Sequence, residues 1–323
     1  MVEPIITVKD LKKYYPIKKQ DSLFKYDYLR AIDGISFKLY EGETLGLVGE
    51  SGCGKSTTRK LLLNVEPPTQ GEVLFNEKNI FTMNNHHIKD YRRNVQMVFQ
   101  DPYASLDPKW KVINLISESL RIHKIGSKKE QTVKVLELMK LVGLKEEHCH
   151  RYPHEFSGGQ RQRICIARAL ALDPKVIVAD EPVSALDVSI QAQVLNLFKD
   201  LKEKLNLTYL FISHDLNVIK YISNRVAVMY LGRIVEIADT QKLFNNPRHP
   251  YTEALMNAIP VPDPRECMEM RVLGGEVPSP INPPDGCTFH PRCPNVMEIC
   301  KTIIPSLTVI NKNHQVACHL TKC

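Results

Sequence analysis

The spacing of apolar residues changes repeatedly along this chain, and each change predicts an element. Ile5-Ile-Thr-Val-Lys9 reads as an edge strand, followed by two adjacent aromatics in Leu11-Lys-Lys-Tyr-Tyr-Pro16. The polar, lysine-containing stretch Lys18 to Arg30 predicts a loop, and Ala31 to Leu39 alternates as a half-buried strand does. Glu43-Thr-Leu-Gly-Leu-Val48 predicts a short buried strand, and Thr57 to Leu63 continues as a helix. Pro67 to Gly71 is a turn, and Glu72 to Phe75 a strand that closes a small antiparallel unit with the N-terminal strands. Val95 to Phe99 reads as a buried strand ending at Gln100.

From Asp101 to Arg151 the period becomes helical, through Ile113, Ile116 and Leu120, then Val133, Val135, Leu136, Leu138 and Met139. Arg161 to Leu172 is a helix stopped by Asp173-Pro174. Lys175 to Asp180 is a strand ending in two acids, Asp180 and Glu181. A helix from about Ser189 to Leu205 and a buried strand Thr208 to Ser213, ending at His214, complete the pattern. Strands alternating with helices, each strand delivering polar residues at its end, predict an α/β fold. Its core is a mainly parallel sheet with helices on both faces and a site at the strand ends.

One stretch in this frame carries sharper chemistry. Gly49-Glu-Ser-Gly-Cys-Gly-Lys-Ser56 fills the pattern G-x-x-x-x-G-K-[ST], between a predicted strand and a predicted helix, with Thr57 following. Backbone N–H groups of such a turn face phosphate oxygens, and side chains at Gly49 and Gly54 would block the backbone angles required. Lys55 suits the β- and γ-phosphates as a point charge, and the Ser56 hydroxyl suits Mg²⁺. Asp180, at the carboxyl end of its strand, stands where a Mg²⁺ partner belongs.

Composition then limits the partners. A length of 323 residues predicts one nucleotide-binding domain plus an appendage, and a net charge of +7 is dispersed along the chain and so does not by itself call for nucleic acid. No apolar run is long enough to span a bilayer, and Met1-Val-Glu-Pro-Ile-Ile lacks the basic start of a signal peptide, so a cytosolic chain is expected. Nine cysteines in an ATP-using cytosolic chain are expected to be reduced.

Taken in order, these motifs resemble those of the ATPase subunit of an ABC transporter over about Ile5 to Asp239. Gly49 to Ser56 resembles the Walker A loop, Gln100 the Q-loop, and Phe156-Ser-Gly-Gly-Gln160 the signature motif, with Phe156 where Leu is commoner. Val176 to Asp180 resembles Walker B, Ser184 to Asp187 the D-loop, and His214 the switch histidine. The resemblance implies a P-loop fold of ABC type, residues 1–255, with an antiparallel β subdomain and a helical subdomain at about 101–156. It implies ATP and Mg²⁺ as ligands: Tyr15, with Tyr14 as runner-up, under the adenine; Gly49, Glu50, Ser51, Gly52, Cys53, Gly54, Lys55, Ser56 and Thr57 around the phosphates; Ser56, Gln100 and Asp180 at Mg²⁺. Glu181 is then the general base, His214 and Gln100 sense the γ-phosphate, and Ser157, Gly158, Gly159 and Gln160 act across a dimer on the opposite subunit's Walker A loop.

Beyond Asp239, Asn246-Pro-Arg-His-Pro-Tyr-Thr-Glu-Ala-Leu255 and Ile259 to Pro264 resemble the ATPases of peptide and nickel importers. The extension 256–323 is small and cysteine-rich, with Cys287, Cys293, Cys300 and Cys318 spaced x5, x6 and x17. Four thiols so placed can enclose a metal, but the close C-x2-4-C pairs of structural zinc are missing, and Cys293-Pro294 is like the C-P end of ferredoxin runs. The expectation is a [4Fe-4S] cluster, as in some members of the resembling family, with zinc and plain thiols as alternatives. Its role is either structural or that of a redox sensor gating transport. The function implied is ATP-driven import of di- or oligopeptides from the cytoplasmic face of the membrane. Partners are a paralogous ATPase, two permeases and an extracellular solute-binding protein, without nucleic acid. Nickel-chelate import and a soluble ABC ATPase acting on nucleic acid or ribosomes are the alternatives, the latter opposed by the single Walker A pattern.

Overall fold

The computed structural model describes residues 3–18, 26–258 and 274–322. Most of the expected 18–30 loop and the proline-punctuated stretch Ile259 to Pro264 lie outside the described residues. Strand β1 (Pro4–Lys18) and strand β2 (Tyr26–Tyr40) are long, and they are followed by β3 (Thr44–Val48), α1 (Lys55–Leu62), β4 (Gln70–Phe75) and β5 (Lys78–Asn79). Next come α2 (Asn85–Asn94), β6 (Val95–Val98), α3 (Pro102–Ser105), α4 (Val112–Ile122), α5 (Lys128–Leu141) and α6 (Gly158–Leu170). The pattern continues with β7 (Val176–Asp180), α7 (Val188–Leu205), β8 (Thr208–Ile212), α8 (Leu216–Ile222), β9 (Arg225–Tyr230) and β10 (Arg233–Asp239). Two helices, α9 (Thr240–Asn245) and α10 (Pro250–Asn257), precede α11 (Glu298–Thr302) and the strands β11 (Thr308–Asn311) and β12 (His314–Val316).

These elements form two compact units. One comprises Tyr40–Glu43 and Thr82–Ser213. Its strands β6, β7 and β8 pair in parallel, β7 in the middle, and Val176 to Ala179 are fully buried. Phe198 of α7 meets Tyr209 and Phe211 of β8 edge-on at 5.5 and 5.6 Å, a favoured aromatic geometry. The chain leaves α7 through Asn206, whose φ of 49° is the left-handed cap that Asn tolerates. In the helical insert, α5 opens on a capping box of Ser127 and Glu130 and buries Val135, Leu138 and Met139. Val133, expected on that stripe, is exposed because it stands two residues before Val135, off the i, i+3, i+4 row. Strand β6 is less buried than its apolar residues predict, with Gln96 and Met97 half-buried and Phe99 exposed, because β6 is the outer strand of this set.

The other unit comprises Pro4–Leu39, Thr44–Phe81 and His214–Cys323. It holds a sheet in the order β2-β1-β4-β5, in which β1 pairs antiparallel with β4. Strand β1 is therefore interior rather than an edge, and Ile5, Ile6, Val8 and Leu11 are buried. Polarity misled at residues 26–30 as well: Tyr26 to Arg30 begin β2, and the Arg30 N–H donates to the Pro280 carbonyl at 2.9 Å. In the same unit β3 pairs in parallel with β9, and β9 folds back antiparallel onto β10. Leu231 (φ 42°) and Gly232 (φ 77°) make this turn, both left-handed as a tight hairpin loop requires. Strand β12 adds antiparallel to β10 and β11 to β12, so the expected mainly parallel sheet is mixed. Buried Glu236 of β10 ties this edge together, accepting the N–H groups of Arg248 and His249 and the His314 Nε2 at 2.7 Å.

Candidate functional site

The phosphate loop begins where β3, buried at every position, runs out of apolar residues at Val48. Gly49 has φ 152°, and a Cβ there would lie 2.1 Å from the Met229 carbonyl oxygen. At Gly54 (φ 109°) a Cβ would lie 2.4 Å from the Ala31 carbonyl oxygen, so glycine is required at both. The Cys53 N–H donates to the Glu50 carbonyl and the Gly232 N–H to the Cys53 carbonyl, closing the loop. Lys55 is buried and donates to the Gly49 carbonyl at 2.7 Å and the Glu50 carbonyl at 2.9 Å. Its ammonium is thus held inside the loop's own curve. Ser51, Gly52 and Ser56 face outward, while Cys53 and Gly54 are buried, and burial pushes the Cys53 thiol up from its ordinary pKa.

Tyr15 belongs to the same neighbourhood. Its hydroxyl donates to Glu66 at 2.6 Å and is also hydrogen-bonded to Thr57; burial and the Glu66 bond push its pKa up to about 12. Tyr14 is committed elsewhere, its hydroxyl bound to Asp33, which also pairs with Arg233 at 2.6 Å. His214 lies just past β8 with an exposed side chain, and Asp215 after it caps α8 by accepting from the Asn217 N–H at 2.8 Å.

The other unit assembles the acids. Asp180 ends β7 and is buried, and Glu181 follows with φ 45° and its N–H bound to the Ile212 carbonyl at 2.9 Å. A left-handed glutamate before proline costs on the order of 1–3 kcal/mol, strain that concentrates at working sites. Gln100, past the end of β6, donates through Nε2 to the Glu181 Oε2 at 2.8 Å. Two residues that sequence links only by motif order are therefore in direct contact. Ser157 is the N-cap of α6 in a capping box with Gln160: the Ser157 hydroxyl accepts the Gln160 N–H at 3.4 Å and the Gln160 Oε1 accepts the Ser157 N–H at 3.0 Å. Gly159 is buried, with no room for a Cβ, 2.4 Å from Ile190 Cγ2, whereas Ser157 and Gln160 are exposed. Phe156 is buried against the edge of His148, so the larger residue at this place is accommodated.

In the C-terminal lobe Cys287, Cys293, Cys300 and Cys318 line one pocket together with His290 and His319. All are free thiols, and burial pushes Cys287 up to about 11 and raises Cys293 and Cys318. Among the described residues no set of three His, Cys, Asp or Glu side chains is gathered closely enough to hold a metal ion. Thiols are the donor type a cluster takes, but these four do not form a closed ligand shell.

Sequence reasoning missed what holds the phosphate loop from behind. The Glu50 carboxylate receives two bonds from Arg292, at 2.9 and 3.2 Å, and the Glu50 N–H donates to the Tyr251 hydroxyl at 3.0 Å. Arg292 stands 242 residues away in sequence, so no local pattern reveals the pair.

A family model described as "ABC transporter" matches residues 32–184, and one described as "Oligopeptide/dipeptide transporter, C-terminal region" matches residues 235–300. The oligopeptide transport ATP-binding protein AppF of Bacillus subtilis is 52% identical over 321 residues, 98% of each chain. This chain belongs to the ABC transporter family. The dipeptide transport ATP-binding protein DppF of Haemophilus influenzae is 52% identical over 317 residues, covering 98% of this chain and 96% of the relative. A solved dimeric ABC cassette, MJ0796 in a post-hydrolysis state bound to ADP and Pi, is 28% identical with a TM-score of 0.64, covering 73% of this chain and 98% of its own. As an ABC ATPase the chain binds ATP and Mg²⁺ and hydrolyses ATP.

Proposed function

We propose that this chain is the ATP-hydrolysing subunit of an importer of di- or oligopeptides. The observation that carries the cargo is the oligopeptide/dipeptide transporter match over residues 235–300, a region outside the ATP motifs, joined to relatives named for peptide transport at 52% identity. No helix among the described residues is long and apolar enough to cross a membrane; in this reading, which rests on the peptide-transport relatives, separate permeases form the path and the chain works peripherally, at the cytoplasmic face. Its counterparts are two permeases, a solute-binding protein and a second ATPase, paralogous to this one.

In this reading Gly49 to Thr57 cradle the phosphates, Lys55 turns from its loop carbonyls to the β- and γ-phosphates, and Ser56 and Asp180 hold Mg²⁺. Tyr15 stacks on adenine. Glu181 takes the proton of the attacking water, Gln100 and His214 orient that water and the γ-phosphate, and Ser157 to Gln160 close on the partner ATPase's nucleotide. Support comes from the Gln100–Glu181 bond, the strained Glu181 backbone and the exposed cap of α6. The donor type, four free thiols lining one pocket, is what favours a [4Fe-4S] cluster held by Cys287, Cys293, Cys300 and Cys318, which would have to draw these side chains closer than they stand and would tie a tail too small to build its own core. Iron and sulfide analysis of protein purified without oxygen tests this, and zinc or no metal refutes it.

The test of the whole reading is uptake in cells carrying or lacking the chain. Loss of labelled di- or tripeptide uptake, with permeases and a paralogous ATPase co-purifying with the chain, supports it. Loss of nickel uptake alone, or purification without membrane partners, overturns the cargo or the coupling.

A further inference from the structure

Within one unit, the C-terminal lobe grips the phosphate loop at Glu50. The Arg292 side chain is 6% exposed and places two N–H groups on the Glu50 carboxylate, a forked pairing that fixes direction as well as distance. Arg292 also donates to the Tyr230 hydroxyl at 3.5 Å, and Tyr230 packs on Tyr251 at 4.6 Å and on Phe289 at 5.3 Å. From the same wedge the Tyr251 hydroxyl accepts the Glu50 N–H. The Glu50 carbonyl in turn accepts from Lys55 at 2.9 Å. A continuous path therefore runs from the turn between Cys287 and Cys293, through Arg292 and Glu50, to the lysine of the phosphate loop.

We propose that Arg292 is a positioning residue for nucleotide binding, fixing and neutralising Glu50 so that the loop accepts a polyphosphate. The inference rests on the reading that Gly49 to Thr57 hold the phosphates of ATP. Glu50 stands one residue into that loop, and a carboxylate left unpaired there repels the nucleotide. Arg292 removes that repulsion and holds the backbone whose carbonyl orients Lys55. The C-terminal lobe is thus part of the nucleotide site, and a change in the Cys293 turn reaches the loop through the adjacent residue.

The experiment measures Kd for a fluorescent ATP analogue with Mg²⁺, on the full chain, at low and high salt, with melting temperature recorded without nucleotide. Arg292→Met weakens binding about tenfold or more, and high salt recovers part of the loss because the cause includes charge. Glu50→Gln, which removes the charge, weakens binding less. The double variant Arg292→Met with Glu50→Gln binds better than Arg292→Met alone. Wild-type affinity in Arg292→Met, or losses that simply multiply in the double variant, overturns the proposal. If Arg292→Met does not fold, Arg292→Lys carries the test: it keeps the charge, loses the fork, and binds the analogue several-fold more weakly while kcat of the assembled complex stays within about twofold; an unchanged Kd overturns the proposal. Lys55→Ala runs alongside, and if that variant keeps full affinity the phosphate-loop reading has failed rather than the Arg292 link.

Discussion

Substituting Gly49 with alanine tests the phosphate loop at the point where its geometry is least forgiving. The new Cβ would lie 2.1 Å from the Met229 carbonyl oxygen and 2.8 Å from the Cys53 Sγ. An ordinary C···O contact is about 3.3 Å, so the loop or the strand must retreat by about 1 Å. The strand is poorly placed to yield, because Met229 belongs to β9, which pairs with β3 through Val48 and Val228 one residue earlier. The loop therefore moves, and a misplacement of about 1 Å costs roughly 100-fold, or about 2.7 kcal/mol, in a site built on positioning. Gly52→Ala separates sterics from backbone preference: Gly52 has φ 78° but nothing within 4 Å of a Cβ. That variant meets only the left-handed penalty of about 1–2 kcal/mol, part of which appears as weaker binding, at most about tenfold. Titration of both variants with a fluorescent ATP analogue, alongside thermal melts, gives the ranking. Equal losses in the two, or wild-type affinity in Gly49→Ala, refute the claim that close backbone approach sets the loop's shape.

Glu181→Gln removes the proposed base while keeping a group that Gln100 can contact; hydrolysis by the assembled complex falls by about 10²–10⁴-fold while ATP binding persists, read by phosphate release and by retained nucleotide. On the proposed closure of a partner over the exposed cap of α6, Ser157→Arg leaves nucleotide affinity of the isolated chain unchanged but abolishes hydrolysis by the complex. Glu236→Ala strands His314 and two backbone N–H groups in a buried place, costing about 3–5 kcal/mol and lowering the melting temperature, with ATP chemistry untouched in the folded fraction. For Asp33, burial raises the pKa but the Tyr14 and Arg233 bonds outweigh it and hold the carboxyl below its ordinary value. The folded state thus binds this proton less readily than the unfolded chain. Its contribution is present above about pH 4 and is lost as pH falls through the lowered value; Asp33→Asn removes that acid-limb dependence in denaturant melts.

The parts of this molecule legible from sequence are those whose chemistry is local. Gly49, Gly54 and Lys55 lie within one turn, and each residue type answers a requirement of the same few backbone atoms. Asp180 and Glu181 follow a four-apolar run, whereas the cap made by Ser157 and Gln160 shows only in the structure, where α6 begins at Gly158 rather than at Arg161. What stayed hidden depends on partners distant in the chain. The neighbours of β1 on both sides turn an expected edge into an interior strand, and the polar residues at 26–30 extend a strand that its apolar half alone predicts too short. Strands β11 and β12 have few apolar residues and take their place from β10, so periodicity does not announce them. The same holds at the site, where the left-handed Glu181 and the Arg292–Glu50 pair have no sequence signal beyond a glutamate before proline and an arginine before cysteine.

The most direct test of the account is ATP hydrolysis by the complex purified through this chain and reconstituted in lipid with its solute-binding protein. Di- or oligopeptides stimulate hydrolysis several-fold in the wild type and not at all in Glu181→Gln. Stimulation by nickel chelates but not peptides, or peptide-stimulated turnover that survives Glu181→Gln, contradicts it.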